Sequence, residues 1–270
     1  MLEEQGSQSK YLKTESKMGV SAGPRIVTDG LRTTIDSANT KSYAGSGTNV
    51  TDRITSNSTD LTIKDSLFKV YDLEVADYVF PNNPSTSLSL PTFSSSNLGS
   101  ITFDGTSNYL DFSSSNLSST ATVEIWVKLG ANYTDNVLFS FGNYTVRCIS
   151  GGLGFNTSNN DLYGISSANV SSLGLIGQWK QYVFEMRSDV SYTNNKIYVN
   201  SVSQPLSQQT GTESSFYRNF NSGIGRISAW SSSTGYEMPM EFSFFRIYNK
   251  VLSSSEILSN FNSSRGRFGI

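Results

Sequence analysis

Catalysis in this chain would have to rest on carboxylates, because its 270 residues include no histidine. That absence excludes histidine acid–base chemistry and histidine metal sites. Residues 121–129 alternate as a strand does, which places Glu124, Trp126 and Lys128 on one face. Retaining glycoside hydrolysis needs two carboxyl groups about 5–5.5 Å apart, and this face offers one. We therefore predict that Glu124 forms a surface ion pair with Lys128 and is not a catalyst.

Other catalytic signatures are missing from the sequence. The run Gly151–Gly154 lies between predicted strands with no helix after it, so it does not resemble a phosphate-binding loop. Cys148 is the single cysteine, which excludes an intrachain disulfide. Its position in the strand-like residues 144–149 predicts a buried, small apolar side chain.

The bulk composition narrows the class of protein further. Charged residues make up 16% and the net charge is −2, which argues against nucleic-acid binding. No run approaches the roughly 20 apolar residues of a membrane span, and residues 1–20 lack the apolar segment of a signal peptide. Aromatic residues make up 12%, so we expect a core of rings beneath a Ser/Thr/Asn-rich surface.

Short strands separated by turn signals account for most of the chain. In residues 121–129 the apolar positions Val123, Ile125, Val127 and Leu129 are expected to face the core. Residues 137–141 and 144–149 predict a hairpin, and residues 151–155, 162–165 and 179–184 predict further strands. Asp104-Gly105 is a strong turn pair and predicts a hairpin between residues 101 and 110. This spacing predicts an all-β sandwich.

The C-terminal residues predict a strand followed by a capped helix. Phe242 and Phe244 are expected to point to one face of the strand 241–248, and Phe245 and Ile247 to the other, so the strand should be covered on both sides. Ser253 and Glu256 have the spacing of a capping box, which is two reciprocal hydrogen bonds at a helix start. Arg265-Gly266 is expected to end the helix.

Several phrases of the sequence resemble the laminin-G-like branch of the concanavalin A-like lectin/glucanase superfamily over about residues 23–270. They are Ile247-Tyr248-Asn249, Leu252-Ser253, Glu256-Ile257 and Asn260-Phe261, together with 23–31, 36–48, 179–184 and 194–200. The tail 265–270 resembles versions found in tailed-bacteriophage virions. The resemblance implies a jelly roll of two curved antiparallel sheets with a short C-terminal helix. Ser201 stands where a hairpin glycine is usual, so that turn should be strained or longer.

We divide the chain into an N-terminal arm, residues 1–23, and one sandwich domain, residues 24–270, with 51–98 as a candidate insertion. The arm is polar, with few apolar residues. It is either a disordered terminus or a segment that becomes ordered on a neighbouring subunit, with Tyr11, Leu12 and Met18 as interface candidates.

The resemblance implies a non-enzymatic structural protein of a phage particle, such as a capsid decoration, neck or tail component. Its partners would be other virion proteins, with symmetric copies or a homo-oligomer on the particle. Hydrolases of the superfamily carry an E-x-D-x-E pattern on one strand face, which Trp126 and Lys128 interrupt after Glu124. The alternative is a carbohydrate-binding module that recognises surface glycans.

The resemblance to this superfamily implies two kinds of ligand site. Laminin-G-like domains often bind calcium through oxygen ligands at the rim of the sandwich. Asp135, Asn136 and Asp161 are the candidates here, unless they serve ordinary turn chemistry. Tyr133, Tyr163 and Trp230 are glycan-binding candidates, unless they pack in the core.

Overall fold

The structure is a computed structural model of the chain. It describes residues 26–37, 49–51, 67–71, 92–113, 117–131, 135–141, 144–156, 161–211, 224–230 and 235–270. Tyr11, Leu12 and Met18 of the predicted arm and the glycan candidate Tyr133 lie outside these residues, as does most of the candidate insertion 51–98. The domain boundaries and the role of the arm therefore stay predictions.

The described residues form seventeen strands and two α-helices. The strands are β1 (Leu31–Asp36), β2 (Asn49–Thr51), β3 (Leu67–Tyr71), β4 (Thr92–Ser94), β5 (Ser100–Asp104), β6 (Tyr109–Ser113), β7 (Thr120–Leu129), β8 (Asp135–Phe141), β9 (Tyr144–Ile149), β10 (Gly152–Asn156), β11 (Leu162–Ile165), β12 (Trp179–Arg187), β13 (Lys196–Val199), β14 (Val202–Ser203), β15 (Ser207–Thr210), β16 (Ile224–Ile227) and β17 (Pro239–Tyr248). The helices are α1 (Ser167–Ser172) and α2 (Ser254–Ser264), and 3₁₀ turns occur at Ser96–Leu98, Tyr192–Asn194 and Arg265–Phe268.

The strands form two antiparallel sheets, which confirms the predicted all-β sandwich of the jelly-roll type. Within the described residues, the first sheet has the order β14-β13-β12-β7-β17-β5-β4, with β1 also paired to β17. The second sheet has the order β15-β11-β10-β9-β8-β16-β6-β3-β2. No helix of the described residues is long and apolar enough to cross a membrane.

The core lies between the two sheets and is rich in aromatic rings. Val123, Ile125, Val127 and Leu129 of β7 all belong to it, as the alternation predicted. From the second sheet Phe139 packs edge-to-face on Phe184, with ring centroids 5.3 Å apart. Cys148 is buried in the same core, which confirms its interpretation as a small apolar residue.

Strand β17 lies inside the first sheet, between β7 and β5, and the prediction for its two faces was partly wrong. Phe242, Phe245 and Ile247 lie in the core, whereas Phe244 packs on Trp126 at the outer face. The pairing of β17 with β7 shifts register between Phe242 and Phe244. This bulge inserts Ser243 and reverses the alternation after Phe242. The prediction that both faces of this strand are covered is confirmed.

The predicted hairpin at Asp104-Gly105 is also wrong. β5 pairs with β17 and β4, while β6 pairs with β16 and β3 in the other sheet. The turn therefore crosses between the sheets. Asp104 holds it by accepting hydrogen bonds from the backbone N–H groups of Thr106, Ser107 and Asn108 at 2.8, 2.9 and 3.1 Å.

Two other predicted hairpins are confirmed. β8 and β9 pair up to Phe141 opposite Tyr144. β13 and β14 pair through Val199 and Val202, which leaves Asn200 and Ser201 as a two-residue turn with φ of 49° and 65°. The loop is not lengthened, so Ser201 occupies the left-handed region that favours glycine.

The chain ends largely as predicted. The capping box of Ser253 and Glu256 is present at the start of α2. The α-helix ends at Ser264 with Arg265 as its C-cap, as predicted, but a 3₁₀ turn follows to Phe268, and the left-handed glycine is Gly269, with φ of 69°, and not Gly266. Nearer the N-terminus, β1 begins at Leu31, after a turn at Asp29-Gly30.

Candidate functional site

Glu124 is not in the surface ion pair that the sequence predicted. It is fully buried and accepts hydrogen bonds from Arg246 Nη1 at 3.1 Å, Gln181 Nε2 at 2.8 Å and Asn260 Nδ2 at 2.9 Å. Lys128 pairs with Glu241 instead, at 2.8 Å. The prediction failed because Asn260 comes from α2, which lies over this face and could not be placed from the strand pattern.

The outer face of the first sheet is therefore closed by the C-terminal segment. Trp126 stacks on Phe268 and Phe261, with ring centroids 4.1 and 5.9 Å apart. Arg246 is also buried, and although burial disfavours its charge, the neighbouring Glu124 carboxylate raises the pKa of Arg246. Within the described residues no group of three or more Asp, Glu, Cys or His side chains could hold a metal ion.

The outer face of the second sheet carries two buried arginines. Arg147 of β9 lies between the core residues Val146 and Cys148 and so points outward. Arg226 of β16 also points outward, next to the core residue Ile227. Strand β8 separates the two, and each arginine is only 6% exposed.

Aromatic rings connect the two arginines into a continuous row. The guanidinium of Arg226 lies 4.1 Å from the centre of the Tyr109 ring, and its Nη1 donates to the carbonyl of Trp230 at 3.2 Å. The rings of Trp230 and Tyr236 meet at 5.6 Å. The guanidinium of Arg147 lies 5.4 Å from the Tyr236 ring. We call these five residues the arginine–aromatic strip.

Carboxylates accompany the strip, so it is not a simple cationic patch. Arg147 Nη2 donates to Asp135, whose side chain is 59% exposed while that of Arg147 is 7% exposed. The buried carboxylate of Glu237 accepts from the N–H of Gly235 at 3.0 Å.

Three buried polar atoms along the strip lack a hydrogen-bond partner within the described residues. They are Arg147 Nε, Thr145 Oγ1 and Trp230 Nε1. Thr145 is 3% exposed and lies two residues before Arg147 on the same strand face. All three can donate a hydrogen bond, and a buried donor without an acceptor costs about 1–3 kcal/mol. The described residues therefore supply no acceptor to these three atoms, each of which is itself closed to solvent.

The predicted calcium ligands do not come together. Asp135 and Asn136 belong to β8, not to a loop, and Asn136 Nδ2 donates to the carbonyl of Glu237 at 2.5 Å. Asp135 pairs with Ile149 at one end of β9. Asp161 precedes β11 and accepts from Asn156 Nδ2 at 3.0 Å, beside the other end of β9. These residues do not fit one calcium site.

Of the predicted glycan-binding residues, only Trp230 lies in the strip. Tyr163 faces the core side of the second sheet, and its ring meets that of Tyr192 edge-on at 5.2 Å. Burial raises the pKa of Tyr163. This arrangement agrees with the packing alternative for Tyr163 and separates it from Trp230.

Sequence reasoning missed Arg147, Arg226 and Tyr236. The two arginines interrupt apolar strand patterns, in T-V-R-C and I-G-R-I, and so occupy outward positions. That signal was available for each residue alone. Their meeting was not, because it depends on the order of β9, β8 and β16 in the sheet.

Comparison with known proteins agrees with this architecture. The family model Laminin_G_3, described as concanavalin A-like lectin/glucanases superfamily, matches residues 104–258. No curated protein matches the chain in sequence. The structure is similar to the receptor-binding domain of the botulinum neurotoxin mosaic serotype C/D, with a TM-score of 0.52 and 9% identity over 87% of this chain.

Two other solved structures are similar at a TM-score of 0.49. One is the botulinum neurotoxin serotype D ligand-binding domain in complex with N-acetylneuraminic acid, at 10% identity over 87% of this chain. The other is Domain 4 of AbnA, a GH43 extracellular arabinanase from Geobacillus stearothermophilus, in complex with arabinotriose, at 14% identity over 86% of this chain and 98% of that chain. The chain spans about half of the toxin chains, 51% in both. At these identities the likeness concerns the fold alone.

Proposed function

Since the chain belongs to the concanavalin A-like lectin/glucanase superfamily, we propose that it is a non-enzymatic, lectin-like attachment protein that binds saccharides. The binding surface is the arginine–aromatic strip on the outer face of the second sheet. The observation that carries this proposal is the pair of half-buried rings, Trp230 and Tyr236, which meet at 5.6 Å on the same face as the exposed carboxylate of Asp135.

A saccharide has the chemistry that suits these rings and this carboxylate. Its hydroxyl groups donate hydrogen bonds to a carboxylate, and its C–H faces pack on aromatic rings. Trp230 and Tyr236 are both half-buried, so part of each ring is open to a ligand. A small number of placed polar groups beside apolar surface is the usual composition of a small-molecule site.

The absence of catalysis is part of the proposal, and the burial and hydrogen bonds of Glu124 support it. Its carboxylate already accepts from Arg246, Gln181 and Asn260 and has no exposed surface. A general acid or nucleophile must reach the glycosidic bond, together with a second carboxyl group about 5–5.5 Å away in a retaining enzyme. Asp135 beside the strip pairs with Arg147.

The setting we propose is the surface of a tailed-bacteriophage particle. Support comes from the tail 265–270, which resembles the versions found in tailed-bacteriophage virions. Other virion proteins, in the capsid, neck or tail, would be the partners. Symmetric copies on one particle would multiply weak saccharide contacts through effective concentration.

A glycan array tests the binding activity. The wild-type chain should bind at least one class of saccharide, and Trp230→Ala and Tyr236→Ala should lose that binding while their circular dichroism spectra stay unchanged. Tyr163→Phe is the matched control, because Tyr163 faces the core side of the sheet, and it should bind as the wild type does. No saccharide bound, or equal loss in all three variants, would overturn the proposal.

Catalysis and the particle setting need separate measurements. The saccharides that bind should show no new reducing ends after prolonged incubation, and turnover that Glu124→Gln abolishes would refute the non-enzymatic assignment. For the setting, deletion of residues 1–23 should prevent incorporation into particles in an infection assay while the domain still folds. Normal incorporation would contradict the predicted role of Tyr11, Leu12 and Met18.

A further inference from the structure

We infer that the strip holds one sugar unit at a time, the terminal non-reducing unit of a glycan, in the corner between the rings of Trp230 and Tyr236. We call these two rings the aromatic corner. This inference rests on the proposed function and names the part of a glycan that the same site binds. It depends on the angle between the two rings and on the position of Asp135.

The two rings do not form a flat platform. Their centroids are 5.6 Å apart and their planes meet at 74°, so the edge of one ring points at the face of the other. A platform for two neighbouring units of a sugar chain needs two open ring faces that lie side by side in one plane, because successive units present their C–H faces along one line. Rings at this angle enclose a corner instead.

The protein already covers part of the aromatic corner. The guanidinium of Arg147 lies over the Tyr236 ring, 5.4 Å from its centre. The edge-to-face contact uses one face of Trp230 or of Tyr236, and both side chains are half-buried. The ring surface that remains open is therefore small, and it suits one sugar unit better than a chain that lies across the sheet.

The Asp135 carboxylate lies close to the aromatic corner. The backbone N–H of Val137 donates to the carbonyl of Tyr236 at 2.7 Å, so the start of β8 runs beside Tyr236. Arg147 contacts both groups, since its guanidinium donates to Asp135 and lies over the Tyr236 ring. The Asp135 side chain is 59% exposed. One sugar unit can therefore pack on the rings and donate a hydroxyl hydrogen bond to this carboxylate.

A terminal unit suits a corner of this kind better than an internal unit does. An internal unit is bonded to neighbours at two positions, and both neighbours have to find room beside the rings. A terminal unit has one neighbour, so its far edge can enter the corner and bring a free hydroxyl group to Asp135. That hydroxyl stands where the next unit would be joined, so only a terminal unit offers it.

A site for one unit also agrees with attachment through many copies. One sugar unit makes few contacts, so each site binds weakly by itself. The symmetric copies proposed for the particle would raise the overall strength of attachment through effective concentration.

The test compares saccharides by ligand-observed NMR titration, which measures weak binding. The probes are the methyl glycoside of a sugar that binds on the glycan array and linear oligosaccharides of that sugar of increasing length. The affinity per molecule should change less than about threefold over the series, because one unit enters the corner. An oligosaccharide whose terminal non-reducing unit carries methyl ethers should bind at least about tenfold more weakly than its unmodified counterpart.

Variants of the protein distinguish one corner from two separate ring contacts. Trp230→Ala and Tyr236→Ala should each weaken binding of the methyl glycoside by about tenfold or more, because one unit touches both rings. On a platform for two units, loss of one ring would leave the methyl glycoside bound at the other. Asp135→Asn should weaken binding by about threefold or more, because a charged hydrogen-bond acceptor is lost. Glu241→Gln, in the exposed ion pair of the other sheet, is the matched control and should change nothing.

The outcomes separate this inference from the proposed function. Affinity that rises more than about tenfold with chain length, or equal binding of the methylated oligosaccharide, would overturn the inference and leave a saccharide-binding protein. Methyl glycoside binding that survives one of the two alanine substitutions, or that Asp135→Asn leaves unchanged, would overturn it as well. Binding of no saccharide by the wild-type chain would refute both the proposed function and the inference.

Discussion

Replacing Glu124 by glutamine should destabilise the protein far more than the same replacement at Glu241. Both carboxylates belong to cross-strand ion pairs between β7 and β17, Glu124 with Arg246 and Glu241 with Lys128. The first pair is buried, with side chains 0% and 7% exposed, and the second is 30% and 37% exposed. The two variants therefore make the same chemical change on the same sheet face at different burial.

The expected loss in the free energy of unfolding follows from the groups that each replacement leaves unpaired. Glu124→Gln removes the counter-charge of a buried Arg246 and turns an amide NH2 toward groups that themselves donate, Gln181 Nε2 and Asn260 Nδ2. Removing one partner of a buried ion pair costs about 3–5 kcal/mol. Glu241→Gln breaks an exposed pair, which contributes about 0.2–1 kcal/mol. We expect the two free energies of unfolding to differ by about 3 kcal/mol.

Urea unfolding followed by tryptophan fluorescence measures both values, because Trp126 lies under the same covering segment. The double variant Glu124→Gln/Arg246→Met should recover much of the loss, since replacing both partners by groups of similar size is often neutral or stabilising. Equal destabilisation by Glu124→Gln and Glu241→Gln, or no recovery in the double variant, would refute the reasoning from burial.

Three further predictions follow from single positions. Ser201→Gly should stabilise the protein by about 1 kcal/mol, seen as a higher melting temperature, because Ser201 has φ of 65°; Ser201→Ala should bring no gain. Gly225→Ala should cost about 1–3 kcal/mol, since a Cβ would lie 2.3 Å from the Phe112 ring, whereas Gly266→Ala, with nothing within 4 Å, should change stability by less than about 0.5 kcal/mol; similar costs would contradict this. Burial works against the charge of Asp104, but hydrogen bonds from three backbone N–H groups and one hydroxyl lower its pKa from 3.8 to about 2. The protein with Asp104 should therefore have a larger free energy of unfolding than Asp104→Asn at pH values above 3.8, and this difference should disappear as the pH falls toward about 2. Acid unfolding of both proteins measures it, and a difference that stays constant with pH would refute the reasoning.

Features that depend on neighbouring residues were predictable from the sequence. The capping box of Ser253 and Glu256, the alternation of β7 and the two-residue turn at Ser201 all form between residues close in the chain. Features that depend on distant partners were not. Asp104-Gly105 is a good turn, but its local chemistry does not say whether the next strand pairs with the previous one or joins the other sheet.

The faces of β17 illustrate the same limit. One extra residue, Ser243, moves every later side chain to the opposite face. Ser243 Oγ and Ser37 Oγ both donate to the carbonyl of Gly99, so the bulge is held by residues more than a hundred positions away. Alternation alone could not show it.

The candidate site shows this limit most clearly. Trp230 was identified because an aromatic residue in a loop is a common saccharide contact. Arg147 and Tyr236 became informative only when the structure showed them in contact. The calcium candidates show the same limit, since Asp135 and Asp161 carry suitable oxygen ligands but lie beside opposite ends of β9.

Unpaired buried atoms also occur under α2, so such atoms do not by themselves distinguish the two outer faces. There the atoms are Trp126 Nε1, Gln181 Oε1 and Arg246 Nε, so donors and an acceptor are mixed. Trp126 and Gln181 have no exposed surface, and buried water between donors and acceptors satisfies such groups in many proteins. On the second sheet the three atoms are equally closed to solvent, but the Asp135 side chain beside Arg147 is 59% exposed and the rings of Trp230 and Tyr236 are half-buried. A ligand can reach these open groups, which is why we propose the binding surface there and not beneath the helix.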